Sequence, residues 1–425
     1  MADHYVKRIH DVDEHRNSVL EINPDVSAIA QSMDERFDEL SHLPLYGVPI
    51  LLKDNICTQD QMHTSAGSLA LAEWHAPRDA YVVAQLRQAG AIILGKTNMT
   101  EWTNFMSDTM WAGYSSRGGQ VKNPYGDFFV GGSSSGFAVA VAANLGMAAI
   151  GSETSGSIIS PCSQNSLVGI KPTVGLVSRS GVIPLSISQD TLGPMTRSVR
   201  DASLLLDIIM GEDAADPYTI NPKCPHGSTP VLDQRRTFTV GVAEHLLIDL
   251  DAEMLQLFET ALEALTSIGV KVIRNVEIPA SRIKWDYEVL RHEFKAAINT
   301  FLCQHPEHIP VHSLTDLIRF NAEHPDTCLK YGQNILEWVD QITGSLEERA
   351  YLESKEQNKL AREQGIDYAL STYQLDALVY PENVGSDLSA RAGYPVVTVP
   401  AGYYASGRPM GIAFSGTAYS ESALL

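Results

Sequence analysis

The sequence predicts an α/β layered fold, and three observations carry that prediction. Short apolar runs alternate with amphipathic stretches along most of the chain. A length of 425 residues is ample for one large core or two ordinary domains. No repeat and no low-complexity tract interrupts the pattern.

Residues 5–40 read as helical, with Glu, Arg, Asp and His interleaved among Val, Ile and Leu. From Gly47 the pattern turns α/β: Val48-Pro49-Ile50-Leu51-Leu52 is a short apolar strand, and 81–86 a helix. Gly90 stops that helix before a second buried strand, Ala91-Ile92-Ile93-Leu94. A helix rich in Ala and Val spans 136–145, and Met147-Ala148-Ala149-Ile150 follows it as a strand. A helix at 200–210 gives way to a Pro-containing loop that reaches residue 230. Strand 238–242 precedes an amphipathic helix with Met254, Phe258, Ala261, Leu262 and Leu265 on one face. Strand 270–273 comes next, 285–370 is mostly helical and charged, and strands return at 377–380 and 396–399.

The composition excludes several function classes. A hydrophobic fraction of 44% and a charged fraction of 19% are those of a soluble globular protein. No stretch reaches the roughly 18 apolar residues that suggest a membrane span. Residues 1–7 contain no apolar signal-peptide core, so the expected location is the cytoplasm. A net charge of −20 argues against nucleic acid, whose phosphates need clustered Lys and Arg. Cys57, Cys162, Cys224, Cys303 and Cys328 are widely spaced, without a C-x-x-C pair. Free thiols are therefore expected rather than a disulfide framework or a zinc site.

Two serine-rich turns stand either side of the 136–145 helix and its strand. They are Gly131-Gly132-Ser133-Ser134-Ser135-Gly136 and Gly151-Ser152-Glu153-Thr154-Ser155-Gly156-Ser157. Upstream, Leu51-Leu52-Lys53-Asp54-Asn55 puts a lysine at the end of an apolar strand. Hydrolysis of an amide needs an activated nucleophile, a proton shuttle to the leaving amine, and donors for the tetrahedral oxyanion. A serine hydroxyl is a weak nucleophile until a neighbouring base takes its proton. Lysine acts as that base only when neutral, and burial lowers its pKa. Singly, a Gly/Ser cluster is a loop and a lysine after a strand is solvated; the conjunction is what points to chemistry.

This Lys…Ser…Ser arrangement resembles the amidase signature family, whose members hydrolyse carboxamides with a Ser–Ser–Lys triad. Further segments match in order: Asn123-Pro124-Tyr125-Gly126, Val168-Gly169-Ile170-Lys171-Pro172-Thr173, Ser188-Gln189-Asp190-Thr191-Leu192-Gly193-Pro194 and the terminal 393–400. The resemblance implies a single domain over 1–425, with a mixed β-sheet sandwiched between helical layers. It implies hydrolysis of a primary carboxamide (a peptide C-terminal amide, or an aliphatic or aryl amide) through an acyl-serine, without cofactor or metal. In that reading Ser157 is the nucleophile and Ser133, in a cis peptide after Gly132, relays its proton to Lys53. The N–H groups of Thr154, Ser155, Gly156 and Ser157 line the oxyanion hole. The partner is then a small-molecule or peptide amide, and the chain is a monomer or homodimer.

Within the family, 115–120 and 173–179 look closest to the peptide-amidase branch and its fungal and bacterial relatives. Three positions depart from the wider pattern. Ser155 stands where Gly or Asp is usual, and its Cβ is expected to crowd the oxyanion loop. Phe137 replaces a small residue at a helix start. Ile158-Ile159 stands where many members have Ile-Arg, the arginine that grips a substrate carboxylate, so a neutral or apolar acyl group is expected. The glutamine-hydrolysing component of an amidotransferase would carry that arginine. The other alternative is a catalytically impaired binding or scaffold protein; Lys53, Ser133 and Ser157 together count against it, and Ser155 and the short ends count for it. The resemblance covers 5–215 and 376–425 well, and 216–375 is expected to be variable, with 285–370 shaping the acyl pocket. Helical segments are expected beyond both ends of this chain.

Three further motifs compete and fail on their context. Gly132-Ser133-Ser134-Ser135-Gly136 matches the G-x-S-x-G elbow, which would make Ser134 the nucleophile, yet the preceding Asp127-Phe128-Phe129-Val130 is short and matches a buried strand poorly. Ser281-Arg282-Ile283-Lys284 matches S-x-x-K without its partner motifs. His305, His308 and His312 are spaced like metal ligands, but Pro306 and Pro310 break any helix that would align them.

Overall fold

The protein is described by a computed structural model over residues 1–219, 237–304 and 309–425. Its first strands are β1 (Val19–Ile22), β2 (Pro49–Lys53), β3 (Ile92–Thr97), the short ribbon β4 (Tyr114–Ser115) and β5 (Gly119–Gln120), and β6 (Ala148–Glu153). Then come β7 (Val168–Lys171), β8 (Thr191–Thr196), β9 (Thr239–Gly241), β10 (Lys271–Ile273), β11 (Ala377–Pro381), β12 (Val396–Tyr403) and β13 (Pro409–Ser415). Eleven of them form one sheet in the order β1-β3-β2-β6-β8-β7-β12-β13-β11-β9-β10. The pairs β2/β3, β2/β6, β9/β10 and β9/β11 are parallel and the rest antiparallel, so the sheet is mixed as expected.

Helices cover both faces of the sheet, and the side-chain alternation of β2 shows why. Ile50 and Leu52 pack with Val82, Val83 and Leu86 of helix Tyr81–Gln88 and with Leu205 and Leu206 of helix Val199–Ile209. Leu51 packs on the opposite face, with Phe137, Ala138 and Val141 of helix Ser135–Ala142. By the same period of two, Lys53 leaves β2 on the face of Leu51, where that helix begins. Phe137 is fully buried there, so the departure at the helix start is a core contact. Gly136 lets the helix start lie close to its neighbours, because an added Cβ would stand 2.4 Å from both Asn98 O and Ser18 O.

The chain departs from the sequence-based expectation in two respects. Residues 5–40 are not continuously helical: helices Ala2–Val12, Val26–Glu35 and Phe37–Leu40 are interrupted by β1. The buried Asp13 carboxylate accepts the N–H groups of Ser18 (3.0 Å) and Val19 (2.7 Å), and Asn17 turns the chain at φ 52°. The freed segment pairs antiparallel with β3. Strands β7, β8 and β13 also fall on segments not expected to be strands. Each carries glycine, and β8 and β13 proline, inside a short stretch that is almost wholly buried, which erases any alternation. Cys57, Cys162, Cys303 and Cys328 are free thiols, as expected, while Cys224 lies outside the described residues.

Truncating Phe137 tests this packing. Phe137→Ala removes a side chain with no exposure and is expected to lower the unfolding free energy by about 3–5 kcal/mol. Denaturant titration would show it as a lower midpoint at unchanged slope.

Candidate active site

Two parallel strands deliver the site. β2 and β6 run side by side with Leu52 opposite Ile150, so Lys53 at the end of β2 meets Ser152 and Glu153 at the end of β6. The Lys53 amine has no solvent exposure. It lies 2.8 Å from Ser133 Oγ, 3.0 Å from Ser152 Oγ and 3.1 Å from Ser152 O. A charged amine donates to all three oxygens. A neutral amine donates to two and offers its lone pair to a hydroxyl proton, so the cage suits both states. Burial pushes the Lys53 pKa down to about 7, against the opposing pull of Asp190 and Glu153. Lys96 and Lys171 are fully buried as well. Their amines bond Ile56 O and Thr64 Oγ1, and Tyr394 O and Pro172 O, respectively; neither meets a serine hydroxyl.

The first serine-rich turn wraps the start of helix Ser135–Ala142. The Gly132–Ser133 peptide bond is cis. Thr100 N–H donates to Ser133 O at 3.0 Å and Ser135 Oγ to Gly131 O at 2.5 Å, which fixes the turn. Gly131 sits at φ 72° with Pro161 Cα only 2.5 Å from where a Cβ would be. Ser134 N–H donates to Ser157 O at 3.2 Å, tying the two serine turns together. Lys53, Ser133 and Ser157 are thus brought to one place. The Lys53–Ser133 bond is formed, whereas among the described residues no hydrogen bond joins the Ser133 and Ser157 hydroxyls.

The second turn is organised by Glu153, which no motif in the sequence singled out for a role. Its buried carboxylate accepts the N–H groups of Gly156 (2.8 Å), Ile158 (2.6 Å) and Ile159 (3.0 Å) at the start of helix Ile159–Gln164. Gly156 therefore gives its N–H to Glu153 and does not fit the expected donor set. The N–H groups of Thr154, Ser155 and Ser157 have no protein acceptor among the described residues. Ser155 is the exposed residue of this turn, between the buried Thr154 and Gly156. Ile159 is buried in the core at the position where many family members carry arginine.

Two other side chains escape sequence reasoning, Ser152 and Asp190. Ser152 bridges Lys53 to Asn55, whose Nδ2 donates to Ser152 Oγ at 3.0 Å. Asp190 accepts from Thr154 Oγ1 (2.5 Å) and from the N–H groups of Leu185 (2.7 Å) and Ser186 (2.8 Å). Both lie inside matched motif segments, so position alone was the available signal. A cavity of about 360 Å3 borders the site through Asn55, Ser152 and Thr154, with Ile183, Leu185 and Leu192 among its walls. No described residue of 285–370 borders it.

The competing motifs do not form sites. Ser134 is fully buried and donates to Ser152 O at 3.1 Å. Ser281 Oγ bonds Ile278 O and His245, while Lys284 is exposed. His312 is exposed, and His305, Pro306 and His308 lie outside the described residues. No cluster of His, Cys, Asp or Glu suited to a metal occurs among the described residues. Among the same residues no helix is long and apolar enough to cross a membrane.

Comparison with known proteins places this geometry in a family. The profile described as Amidase matches residues 1–391, and the chain belongs to that family. An Arabidopsis thaliana relative bearing the description "Probable amidase" is 38% identical, over 99% of this chain and 83% of its own length. The native peptide amidase of Stenotrophomonas maltophilia superposes with a TM-score of 0.89 at 42% identity, covering 100% of this chain and 90% of that one. An amidase family protein of Bacillus anthracis gives 0.93 at 36% identity, covering 100% and 84%. The protein is an amide C–N hydrolase with a single amidase-type α/β domain.

Glu153→Ala would strip three backbone donors of their acceptor at a buried helix start. Each orphaned donor costs roughly 1–3 kcal/mol, so a total loss of about 3 kcal/mol or more is expected in a denaturant titration. Glu153→Gln should lose less, because its amide oxygen still accepts while its NH2 opposes one of the three donors.

Proposed function

We propose that this hydrolase converts R–CO–NH2 to R–COOH and ammonia through Lys53, Ser133 and Ser157. One observation carries the reading: an unexposed lysine amine 2.8 Å from a serine hydroxyl, with its pKa brought down to about 7. At neutral pH about half of such amines are uncharged and able to take a proton.

Neutral Lys53 accepts the Ser133 proton as Ser133 accepts that of Ser157, and Ser157 Oγ attacks the amide carbon. The carbonyl oxygen becomes an oxyanion beside the uncommitted N–H groups of Thr154, Ser155 and Ser157. Collapse breaks the C–N bond, and the proton held on Lys53 returns through Ser133 to the departing nitrogen, which leaves as ammonia. Water then attacks the acyl-Ser157 ester by the same relay run a second time, releasing the acid and restoring the serine. The Ser133–Ser157 contact, open here, is of the kind that tightens once substrate is bound.

The proposed acyl group is neutral and largely apolar. Val182, Ile183, Leu185, Ile187 and Leu192 line the adjoining cavity. The arginine in its wall, Arg179, is engaged by Asp216 through Nε (2.8 Å) and Nη2 (2.6 Å), which leaves it poorly placed to hold a substrate carboxylate. Together with Ile159, this favours a hydrolase of free amides over the glutamine-hydrolysing part of an amidotransferase.

Two experiments test the assignment. Ser157→Ala is expected to abolish both ammonia release and labelling by a fluorophosphonate, while Ser134→Ala keeps the label on Ser157. Label lost from Ser134→Ala and kept by Ser157→Ala would move the nucleophile to Ser134. The second experiment is a pH profile. A protonated Lys53 cannot accept a proton, so kcat/KM is expected to rise with pH through about 7 and then level off. Lys53→Arg should lose about 10³-fold or more at every pH, because a guanidinium does not deprotonate. Substantial activity in that variant would reduce the residue to a fixed positive charge.

A further inference from the structure

Two cavities stand on either side of one segment. The first, of about 360 Å3, is the one bordered by Asn55, Ser152 and Thr154. The second, of about 440 Å3, is bordered by Trp74, Glu293, Ala297 and Phe301. Ser180, Val182, Pro184, Ile187 and Ala215 border both, so the segment 180–187 is the partition between them.

The partition is held from two directions. On the side of the signature core, Ile183 N–H donates to Asn55 O at 2.8 Å, and Asp190 takes the N–H groups of Leu185 and Ser186. From the variable region comes Glu293, on helix Glu288–Cys303, with no solvent exposure. Its Oε2 accepts from Ser186 Oγ (2.5 Å), Ser188 N–H (3.0 Å) and Ser188 Oγ (2.9 Å), and its Oε1 from Tyr351 OH (3.0 Å). A carboxylate without exposure is costly unless its lone pairs are met, and here four donors meet them. Such an arrangement has one favourable geometry, and that geometry fixes where residues 186–188 sit.

We propose that Glu293 is a specificity-determining residue: by pinning the partition it sets the depth of the acyl cavity and confines substrates to compact apolar acyl groups. The inference rests on the amide-hydrolase reading above. Glu293 does not touch Lys53, Ser133 or Ser157, so it acts through the wall and not on the reacting atoms. Releasing it lets the 186–188 end of the partition yield toward the second cavity, which admits longer chains.

The test compares ammonia release from butyramide and decanamide by the wild-type chain, Glu293→Ala, Glu293→Gln and Tyr351→Phe. Glu293→Ala is expected to raise the decanamide-to-butyramide ratio of kcat/KM by about ten-fold, chiefly through a lower KM for decanamide. Glu293→Gln can still accept from Ser188 N–H and donate to Tyr351 OH, so its ratio should stay within about two-fold of wild type. Tyr351→Phe removes one of the four donors and should shift the ratio in the same direction by a smaller factor, which carries the test if Glu293→Ala does not fold. An unchanged ratio in Glu293→Ala and Tyr351→Phe, or an equal fall on both amides with a lower melting midpoint, overturns the inference while leaving the hydrolase reading intact. A wild-type chain that releases ammonia from no amide overturns that reading, and this inference with it.

Discussion

The burial of one amine governs the arrangement around it. Lys53 ends a strand whose other side chains are all in the core, and the strand alternation leaves its stem no route to water. A charged ammonium in that position has lost its hydration, and three oxygens at about 3 Å replace only part of it. Desolvation therefore outweighs the attraction of the two nearby carboxylates, and the pKa falls to about 7. Glu153 and Asp190 act against the desolvation and hold the value up. The two carboxylates thus bound the depression, leaving an amine able to change state near neutrality.

Those same carboxylates allocate the backbone donors. Glu153 draws in the N–H groups of Gly156, Ile158 and Ile159, while those of Thr154, Ser155 and Ser157 have no protein acceptor among the described residues. Asp190 reaches from the Thr154 hydroxyl to the Leu185 and Ser186 amides, so it joins the serine turn to the cavity wall. Each acid serves two purposes, electrostatic toward Lys53 and geometric toward the loops. Glu153 sits with almost no exposure and Asp190 is part-buried, and the donors each one meets offset the cost of that burial.

Much of this was legible in the sequence, for identifiable reasons. Strands β2, β3 and β6 announced themselves because both their faces are covered, so they read as continuous apolar runs. The Lys53, Ser133 and Ser157 segments were recognisable because their residue types match a family pattern in order. Strands β7 and β8 were not, since Gly169, Lys171, Gly193 and Pro194 mask any period. β1 was hidden inside a polar stretch because an Asp13 carboxylate and one left-handed asparagine, not hydrophobicity, create it. Sequence spacing cannot show that a glutamate three residues earlier accepts the Gly156 N–H.

The region between the matched segments posed a different problem. Expected to shape the acyl pocket, 285–370 borders the second cavity, and among the described residues it reaches the wall of the first through Glu293, which holds Ser186. No local pattern marks such a residue: Glu293 lies on an amphipathic helix where a glutamate ordinarily faces water. Its partners are over 100 positions away in the chain at Ser186 and Ser188, and nearly 60 away at Tyr351. Only the tertiary fold brings four donors to one carboxylate. A catalytic frame built from contiguous motifs can in this way stay fixed while a single long-range contact from a variable region adjusts what the frame admits.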